Sequence, residues 1–287
     1  MIEYIKRKNL NVEKYDACIE NSIQSRIYAF SWYLDIVADN WDVLVLDNYK
    51  AVMPIPWRKK FFIKYVSQPY FCQQLGVFSK EIVSEALQEK MINHIPKKFV
   101  KISLNFNSGN FLTYKMNLKN NYLLKIEKKY ENNYKKFTKN RKRDLKKAML
   151  STLTFEENLG IKEFYGFYLL NDKNFRNYIS MKEVLQNILK LNSNVVRCFG
   201  IRSKECLVAS VLLLDNGKRI TYLVPVSNDF GKKNGASTLL ITEIIKKYKR
   251  KNCFIDFEGS MITGVAKFYK SFGSDKESYS VLTKSIF

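Results

Sequence analysis

The order of the predicted elements runs twice through this sequence of 287 residues. The first half reads as strands at residues 41–46, 51–57 and 62–66, a helix over 79–95 with Ser79 as its N-cap, and a strand at 99–105. The second half reads as strands at 195–201, 207–214 and 220–224, a helix over 236–248 and a strand at 253–257. The halves share this order without residue-level identity, so the repeat is one of architecture and predicts two α/β units.

No Gly/Ser-rich linker separates the two halves, so the boundary is drawn where the element order restarts. We place it near Lys115, between an N-terminal unit of residues 1–115 and a C-terminal unit of residues 116–287. The C-terminal unit then begins with a basic helical segment at residues 125–150. The first forty residues are predicted to be helical, most clearly at 28–37.

The charge balance favours anionic partners. The chain has 49 Lys and Arg residues against 27 Asp and Glu residues, a formal net charge of +22. Such a charge suits nucleic acid, nucleotide phosphates or an anionic membrane face. A composition rich in lysine and asparagine along the whole chain is the alternative source of the charge.

Several classes of protein are disfavoured by composition. His94 is the only histidine, and the five cysteines form no C-x-x-C pair, so we expect no metal site and no Ser-His-Asp hydrolase. No apolar run is long enough to span a membrane, and the N-terminus has no apolar signal region. We therefore expect reduced thiols and a cytoplasmic protein.

A glycine-bearing loop joins a predicted strand to the helix at 236–248. Backbone N–H groups at a helix start, together with the helix dipole, suit a pyrophosphate. Gly235 would let phosphates approach the backbone closely, with lysines beside it. The candidate phosphate-binding residues are Lys232, Lys233, Asn234, Gly235, Ala236 and Ser237. An ordinary helix start without a ligand is the open alternative.

Two carboxylates lie at the end of the last predicted strand. Asp256 and Glu258 are two residues apart, so on a strand both side chains point to the same side. Neighbouring carboxylates make each other more basic, which suits one of them to accept a proton from an amine. Solvated carboxylates at a strand end, or carboxylates paired with lysines, are the alternative.

A short helix is predicted over residues 266–273, where Gly273 would end it. Tyr269 lies within this helix and is a candidate to direct its hydroxyl into a cleft. Ordinary aromatic packing is the alternative for this residue.

Together these three elements resemble the GNAT superfamily of acyltransferases. In that superfamily a Q/R-x-x-G-x-G/A loop holds the pyrophosphate of acyl-CoA, and a later helix carries an A-x-x-x-Y-x-K-x-G-F-like pattern. Ala266, Tyr269 and Gly273 match the later pattern, while Lys232 replaces Arg or Gln and Ser237 stands where Gly or Ala is expected. The resemblance implies acyl-CoA as co-substrate and Tyr269 as the acid that protonates the departing thiolate.

The whole chain resembles, more specifically, the Fem-like branch, whose members carry two GNAT units in tandem. The matching segments are residues 68–76, 139–148, 256–260 and 268–273. The Fem-like pattern F-K-x-x-F-G has lysine after its first phenylalanine, whereas this chain has Tyr269 there, which favours ordinary GNAT chemistry. The resemblance implies two units, each with a mixed, mostly antiparallel sheet flanked by helices.

Polar and aromatic residues of the first half are candidates for binding the acceptor, since they follow strands and precede a helix. The candidate acceptor-binding residues are Trp57, Arg58, Gln68, Tyr70, Gln73 and Gln74, with Tyr222 from the second half. Hydrogen bonding of these side chains to the backbone is the alternative.

The segment Lys125–Lys147 contains eleven Lys and Arg residues interleaved with Tyr130, Tyr134 and Phe137. Such a pattern suits tRNA, through phosphate contacts and stacking, or an anionic membrane. A solvated helix face is the alternative.

The prediction that follows is an N-acyltransferase that moves an acyl group from acyl-CoA to an amine of a small molecule or a cell-wall precursor. Two alternatives stay open. One is a Fem-like aminoacyl-tRNA-dependent transferase acting on a cell-wall precursor, and the other is a non-catalytic tandem GNAT that binds nucleic acid or membrane.

Overall fold

The computed structural model describes residues 1–110, 117–171 and 179–285. These residues fall into two compact units. The first comprises the described parts of Met1–Asn120 and Ser278–Phe287, and the second those of Asn121–Glu277. The boundary predicted near Lys115 lies outside the described residues.

The first unit is a sheet with helices packed on it. Its elements are β1 (Ile2–Lys6), α1 (Val12–Asn21), α2 (Ser31–Val37), β2 (Asn40–Leu46), β3 (Ala51–Lys60), β4 (Ile63–Ser67), β5 (Phe78–Ser79), α3 (Glu85–Asn93) and β6 (Phe99–Asn105). The strand order is β1-β2-β3-β4-β6, and β5 pairs with β3. Among the strands described in this unit, β4 and β6 form the parallel pair, and α3 lies between them in the chain.

The second unit has the same plan. Its elements are β7 (Asn117–Lys125), of which residues 121–125 belong to this unit, α4 (Tyr130–Lys136), α5 (Lys139–Leu150), β8 (Leu153–Glu156), α6 (Ile161–Asn171), α7 (Ile179–Ile188), β9 (Val196–Ser203), β10 (Cys206–Asp215), β11 (Arg219–Ser227), α8 (Asp229–Lys233), α9 (Ala236–Tyr248), β12 (Phe254–Asp256) and α10 (Thr263–Lys270). The strand order is β7-β12-β11-β10-β9-β8. Again one pair is parallel, β11 with β12, and α9 connects them.

The predicted repeat of element order and the α/β class are confirmed. Each unit contains antiparallel strands followed by a strand–helix–strand connection that closes a parallel pair. α9 has the predicted bounds and is apolar on most of its surface, so it is almost wholly buried. Among the described residues, no helix is both long enough and apolar enough to cross a membrane.

Two local predictions were wrong, and some strands were not predicted. The first forty residues contain the helices α1 and α2, as expected, but they begin with a strand, β1. The strands β7, β8 and β13 (Asp275–Ser285) were not predicted. The first-unit helix α3 starts later than expected, because its N-cap is Ser84, whose hydroxyl accepts the Leu87 N–H at 3.2 Å. Ser79 lies in β5 instead.

Candidate active site

The parallel strands β11 and β12 separate part-way along β11. They pair only between residues 219–221 of β11 and 254–256 of β12. Beyond Thr221, β11 continues to Ser227 and pairs with β10 on its other side. Among the described residues no strand covers the free edge of β11 there, and an extended ligand can add to such an edge through backbone hydrogen bonds.

β11 also carries one extra residue at the start of this gap. Leu212 of β10 pairs with Val224, whereas Leu213 pairs with Tyr222, so Leu223 is bulged out of the ladder. A bulge increases the local twist and re-aims neighbouring side chains, and bulges are frequent beside active sites. Sequence periodicity did not predict it, because residues 220–224 read as an uninterrupted strand.

A cavity of about 510 Å³ opens beside this part of β11. Its walls are formed by α5, the second half of β11, the junction of α8 and α9, and α10. All of these elements belong to the second unit. A volume of this size suits part of a cofactor-sized ligand.

Tyr269 lies in α10 and forms part of the cavity wall. Its ring stacks on Phe257 with the centroids 4.5 Å apart and meets Tyr222 edge-on at 6.2 Å. Its hydroxyl has no hydrogen-bond partner among the described residues. Burial, and then the negative charge of Glu258, raise the pKa of Tyr269, so the phenol keeps its proton at neutral pH. This helix ends at Lys270 with Ser271 as its C-cap, and not at Gly273 as predicted. Gly273 lies in the turn that follows, with a φ of 81° that favours glycine.

The start of α9 forms a second wall. Gly235 precedes the helix with φ of 74°, in the left-handed region that favours glycine. Its carbonyl accepts the N–H groups of Thr238 and Leu239. The N–H groups of Ala236 and Ser237 have no partner among the described residues, and Ser237 lines the cavity. A helix start with unpaired N–H groups can bind an anion.

Only part of the predicted phosphate loop faces the cavity. Lys232, Lys233, Gly235 and Ser237 line it, whereas Ala236 is packed in the core. A Cβ added to Gly235 would lie 2.9 Å from the Asp144 carbonyl oxygen of α5. The predicted close approach of phosphates is therefore blocked on that side of Gly235, where the missing side chain allows α9 to pack against α5.

Asn234, also predicted to bind phosphate, ends α8. Its N–H and its side-chain amide both donate to the Phe230 carbonyl, each at 3.0 Å. Asn234 is absent from the cavity lining, so it acts here as a helix cap.

Arg141 of α5 also lines the cavity, although no sequence motif indicated it as a site residue. It is only 8% exposed, and its guanidinium donates to the hydroxyls of Ser271 and Thr238. The same group lies over the rings of Phe268 and Phe272, with Cζ 4.3 Å and 5.0 Å from their centroids. Its Nη2 atom has no partner among the described residues. Burial lowers the pKa of Arg141, although Asp144 partly opposes the shift.

The cavity carries an excess of positive charge. Its charged lining residues are Arg141, Lys147, Lys232, Lys233 and Asp144. Lys147 donates to the Lys233 carbonyl at 2.8 Å, which fixes this lysine at the end of α8. Four cations against one carboxylate suit an anionic ligand. In the described part of the chain, no group of His, Cys, Asp and Glu side chains is arranged to hold a metal ion.

No family model and no curated protein matches the chain. Solved structures do match, including FemX, with a TM-score of 0.66 at 11% identity over 97% of this chain and 96% of that one. A tandem GNAT protein from the clavulanic acid biosynthesis pathway matches with a TM-score of 0.56 at 7% identity, covering 99% and 98% of the two chains. The chain has the Fem-like tandem GNAT fold. L-PGS from Bacillus licheniformis has this fold too, with a TM-score of 0.57 at 11% identity and 95% and 91% coverage.

In this tandem GNAT fold, Asp256 is held within the sheet. It ends β12 with no exposed surface, and its Oδ1 accepts from the Asn121 side chain and the Glu258 N–H, both at 2.9 Å. Its Oδ2 lies 3.2 Å from Nη1 of Arg219. Oδ1 thus accepts two hydrogen bonds and Oδ2 faces the Arg219 cation, and Asp256 does not line the cavity.

Glu258 does not share a strand face with Asp256. The strand ends at Asp256, and Glu258 has φ of 53°, so the alternation assumed from the sequence stops before it. Its charge nevertheless acts on Tyr269 and contributes to the raised pKa of that phenol. Glu258 is therefore placed near Tyr269, while Asp256 accepts the Glu258 N–H and so supports the backbone at this point.

The predicted acceptor-binding glutamines lie in the first unit and bond within it. Gln68 donates to the Cys72 carbonyl at 2.6 Å and accepts the Asn105 N–H at 3.0 Å. Gln74 is fully buried, accepts the Ser108 N–H at 3.1 Å and donates to the Gln73 side chain at 2.7 Å. These contacts agree with the backbone-bonding alternative.

The other predicted acceptor residues of the first unit are likewise engaged. Trp57 donates from its indole nitrogen to Asp42 at 2.9 Å. Arg58 is paired with Asp39 at 3.3 Å and lies over the Tyr70 ring at 5.1 Å. The second-unit candidate, Tyr222, does line the cavity, where burial raises its pKa well above the ordinary value.

Proposed function

We propose that the protein is an N-acyltransferase that moves an acyl group from acyl-CoA to an amine. The observation that carries this proposal is the content of one cavity. It brings the protonated hydroxyl of Tyr269 together with the helix start at Ser237 and the cation Arg141. An acid for the leaving group and a site for phosphates are the two features that such a donor requires.

In this proposal the donor phosphates lie at the start of α9. Nη2 of Arg141, the ammonium of Lys147 and the Ser237 N–H would bind them, since charge-assisted hydrogen bonds to phosphate are strong. The amide-containing arm of CoA would run along the uncovered edge of β11 beyond Thr221. The thioester would then lie near Tyr269.

The amine nitrogen attacks the thioester carbonyl carbon, and the C–S bond breaks. The Tyr269 hydroxyl gives its proton to the departing sulfur, and a carboxylate takes the proton that the amine releases. We assign that carboxylate to Glu258, because Asp256 is occupied by Asn121 and Arg219. Holding donor and acceptor together supplies a further part of the rate.

An aminoacyl-tRNA donor is the second candidate, and the position of α5 favours it. One side of this helix lines the cavity with Arg141 and Lys147, while Lys139, Arg143 and Lys146 are exposed. A nucleic acid with its acylated end in the cavity would find phosphate-binding side chains along the same helix. In that case the acceptor would be an amine of a cell-wall precursor.

Calorimetric titration with acetyl-CoA and longer acyl-CoAs, at two salt concentrations, tests the donor. Arg141→Met is the diagnostic change, and Arg143→Met is its matched control because Arg143 is on the same helix, exposed and outside the cavity lining. Loss of one charge-assisted phosphate contact should weaken binding about tenfold to a hundredfold in Arg141→Met. The control should bind like the parent at equal salt.

Equal acyl-CoA affinity in Arg141→Met and the parent would place the donor site elsewhere and defeat this assignment. Absence of any acyl-CoA binding, with binding of aminoacyl-tRNA that Arg141→Met weakens, would favour the second candidate. Salt-sensitive binding of RNA or lipid without any donor binding would identify a non-catalytic tandem GNAT.

A further inference from the structure

The β3–β4 hairpin of the first unit ends in two exposed phenylalanines. Lys60 pairs with Ile63, so Phe61 and Phe62 form a two-residue turn. Phe61 is 82% exposed, Phe62 is 92% exposed and the adjacent Ile63 is 54% exposed. Side chains this exposed add nothing to the core, and adjacent large apolar groups on a surface are typical of an interaction site.

The geometry of the turn does not explain why residue 61 is a phenylalanine. Its φ of 53° is uncommon for a bulky residue. Where the first residue of a two-residue hairpin turn has positive φ, glycine is the preferred residue. Phenylalanine at position 61 is therefore unfavourable in two ways: its backbone conformation favours glycine, and its apolar ring is exposed to water. A binding partner that covers the rings of Phe61 and Phe62 would explain why phenylalanine is present there.

The residues beside the tip are basic. Residues 57–67 contain Arg58, Lys59, Lys60 and Lys64 and no Asp or Glu. Lys59 holds its ammonium 5.7 Å from the Phe62 ring centroid, and Lys64 holds its own 4.8 Å from that of Trp57. The positive charge is thus concentrated directly behind the apolar tip.

Further cations lie near Lys64, whose partner in the parallel β4–β6 pair is Phe99, the residue after Lys98. Burial lowers the pKa of Lys98, and the charges of Lys64 and Lys6 lower it further, against an opposing effect of Asp42. These three lysines are therefore close enough to repel one another. Such a field attracts an anionic surface.

We propose that the tip of the β3–β4 hairpin docks the first unit onto an anionic lipid bilayer. Phe61 and Phe62 would enter the boundary between headgroups and acyl chains, and Lys59, Lys60 and Lys64 would contact the headgroups. Strand geometry places Lys59 and Lys64 roughly 7 Å behind the tip, at about 3.3 Å per residue. Trp57 and Tyr65 follow farther back, and both residue types are favoured at membrane interfaces. This inference does not depend on the donor cavity of the second unit.

Sedimentation with vesicles of phosphatidylcholine, with or without phosphatidylglycerol, tests the proposal. The parent should bind the anionic vesicles and bind phosphatidylcholine alone less well. The double variant Phe61→Gly/Phe62→Asn should weaken binding about tenfold or more, because two apolar rings are lost. Lys59→Gln should weaken it about fivefold. Glycine suits the turn, so the double variant should unfold at a temperature no lower than the parent.

The matched control is Met149→Ser/Leu150→Ser, which removes another exposed apolar pair near basic residues. Met149 is 64% exposed and Leu150 is 79% exposed. This control should leave vesicle binding unchanged. The proposal is overturned if the parent does not bind anionic vesicles, if the hairpin variant binds as the parent does, or if only the control loses binding. It is also overturned if the hairpin change abolishes self-association or RNA binding while vesicle binding persists.

Discussion

The change Tyr269→Phe removes one oxygen atom from the proposed acid and leaves the ring in place. The ring makes the contacts that hold α10 on the sheet, including the stack on Phe257 at 4.5 Å and the edge contact with Tyr222. Because the Tyr269 hydroxyl has no partner among the described residues, its loss strands no buried donor or acceptor. The free energy of unfolding should therefore change by less than about 0.5 kcal/mol.

Turnover should respond very differently. Without the phenol, the thiolate would leave unprotonated, and we expect acyl transfer to slow about tenfold or more. Tenfold corresponds to about 1.4 kcal/mol on the activation barrier. Donor affinity should not change, since the proton is transferred only as the C–S bond breaks.

The assay is release of free thiol from acyl-CoA at saturating amine, under single-turnover conditions. Tyr222→Phe is the matched control, because Tyr222 is a second buried tyrosine in the same cavity wall. It should retain the rate of the parent. A thioester with a weakly basic leaving group needs no proton, so it should remove the difference between Tyr269→Phe and the parent.

Turnover of Tyr269→Phe at the rate of the parent would refute the role of this phenol as the acid. Equal slowing of Tyr222→Phe would also refute it, since the polarity of the cavity and not a specific proton would then set the rate. A slowed Tyr269→Phe that a better leaving group does not rescue would exclude leaving-group protonation as the role of this phenol.

Two further predictions concern stability. Arg219→Met should reduce the free energy of unfolding by about 3–5 kcal/mol, because Asp256 is fully buried and would lose its cation. Urea denaturation measures this loss. The additional change Asp256→Asn should restore part of it, because the uncompensated buried charge is then removed. Burial raises the pKa of Tyr222 and Tyr248 above the ordinary value, so the unfolded chain releases these protons first as pH rises. Stability should be full below about pH 10 and fall above it, and thermal melts that stay constant through alkaline pH would contradict this.

The elements that could be predicted from the sequence are those whose pattern of buried residues is visible in a short stretch of consecutive residues. α9 has the predicted bounds, and β2, β6 and β9 each begin within one residue of their predicted starts. Burial imposes a helical or alternating period on such segments regardless of where their partners lie. The order of these elements was then enough to predict two similar units.

The missed strands depend on distant partners. β13 begins with Asp275, Lys276 and Glu277, which resemble a surface loop in sequence. It becomes a strand because its second half pairs with β6, where Val281 is opposite Asn105. Local propensity carries little information about a pairing across so long a stretch of chain.

The candidate site likewise has residues that a local motif predicts and residues whose role depends on distant parts of the chain. Tyr269 and the loop before α9 stood out because a local motif contains them, whereas the role of Arg141 depends on α5 meeting Thr238, 97 residues later. One signal was available in the sequence. Arg141 is in helical register with Leu145 and Ala148, so a charged residue lies on the buried face of a basic helix.

The burial of Arg141 also bears on the function of the cavity. Taking a guanidinium out of water is costly, and a well-packed apolar side chain would often stabilise a fold as well or better. The hydroxyls of Ser271 and Thr238 satisfy part of the group, and Nη2 still lacks a partner among the described residues. A phosphate at the start of α9 would supply that partner and add negative charge to that of Asp144, whose Oδ2 lies 3.3 Å from Nη1. Stability alone is thus a poor reason for an arginine at this position, and anion binding is the better one.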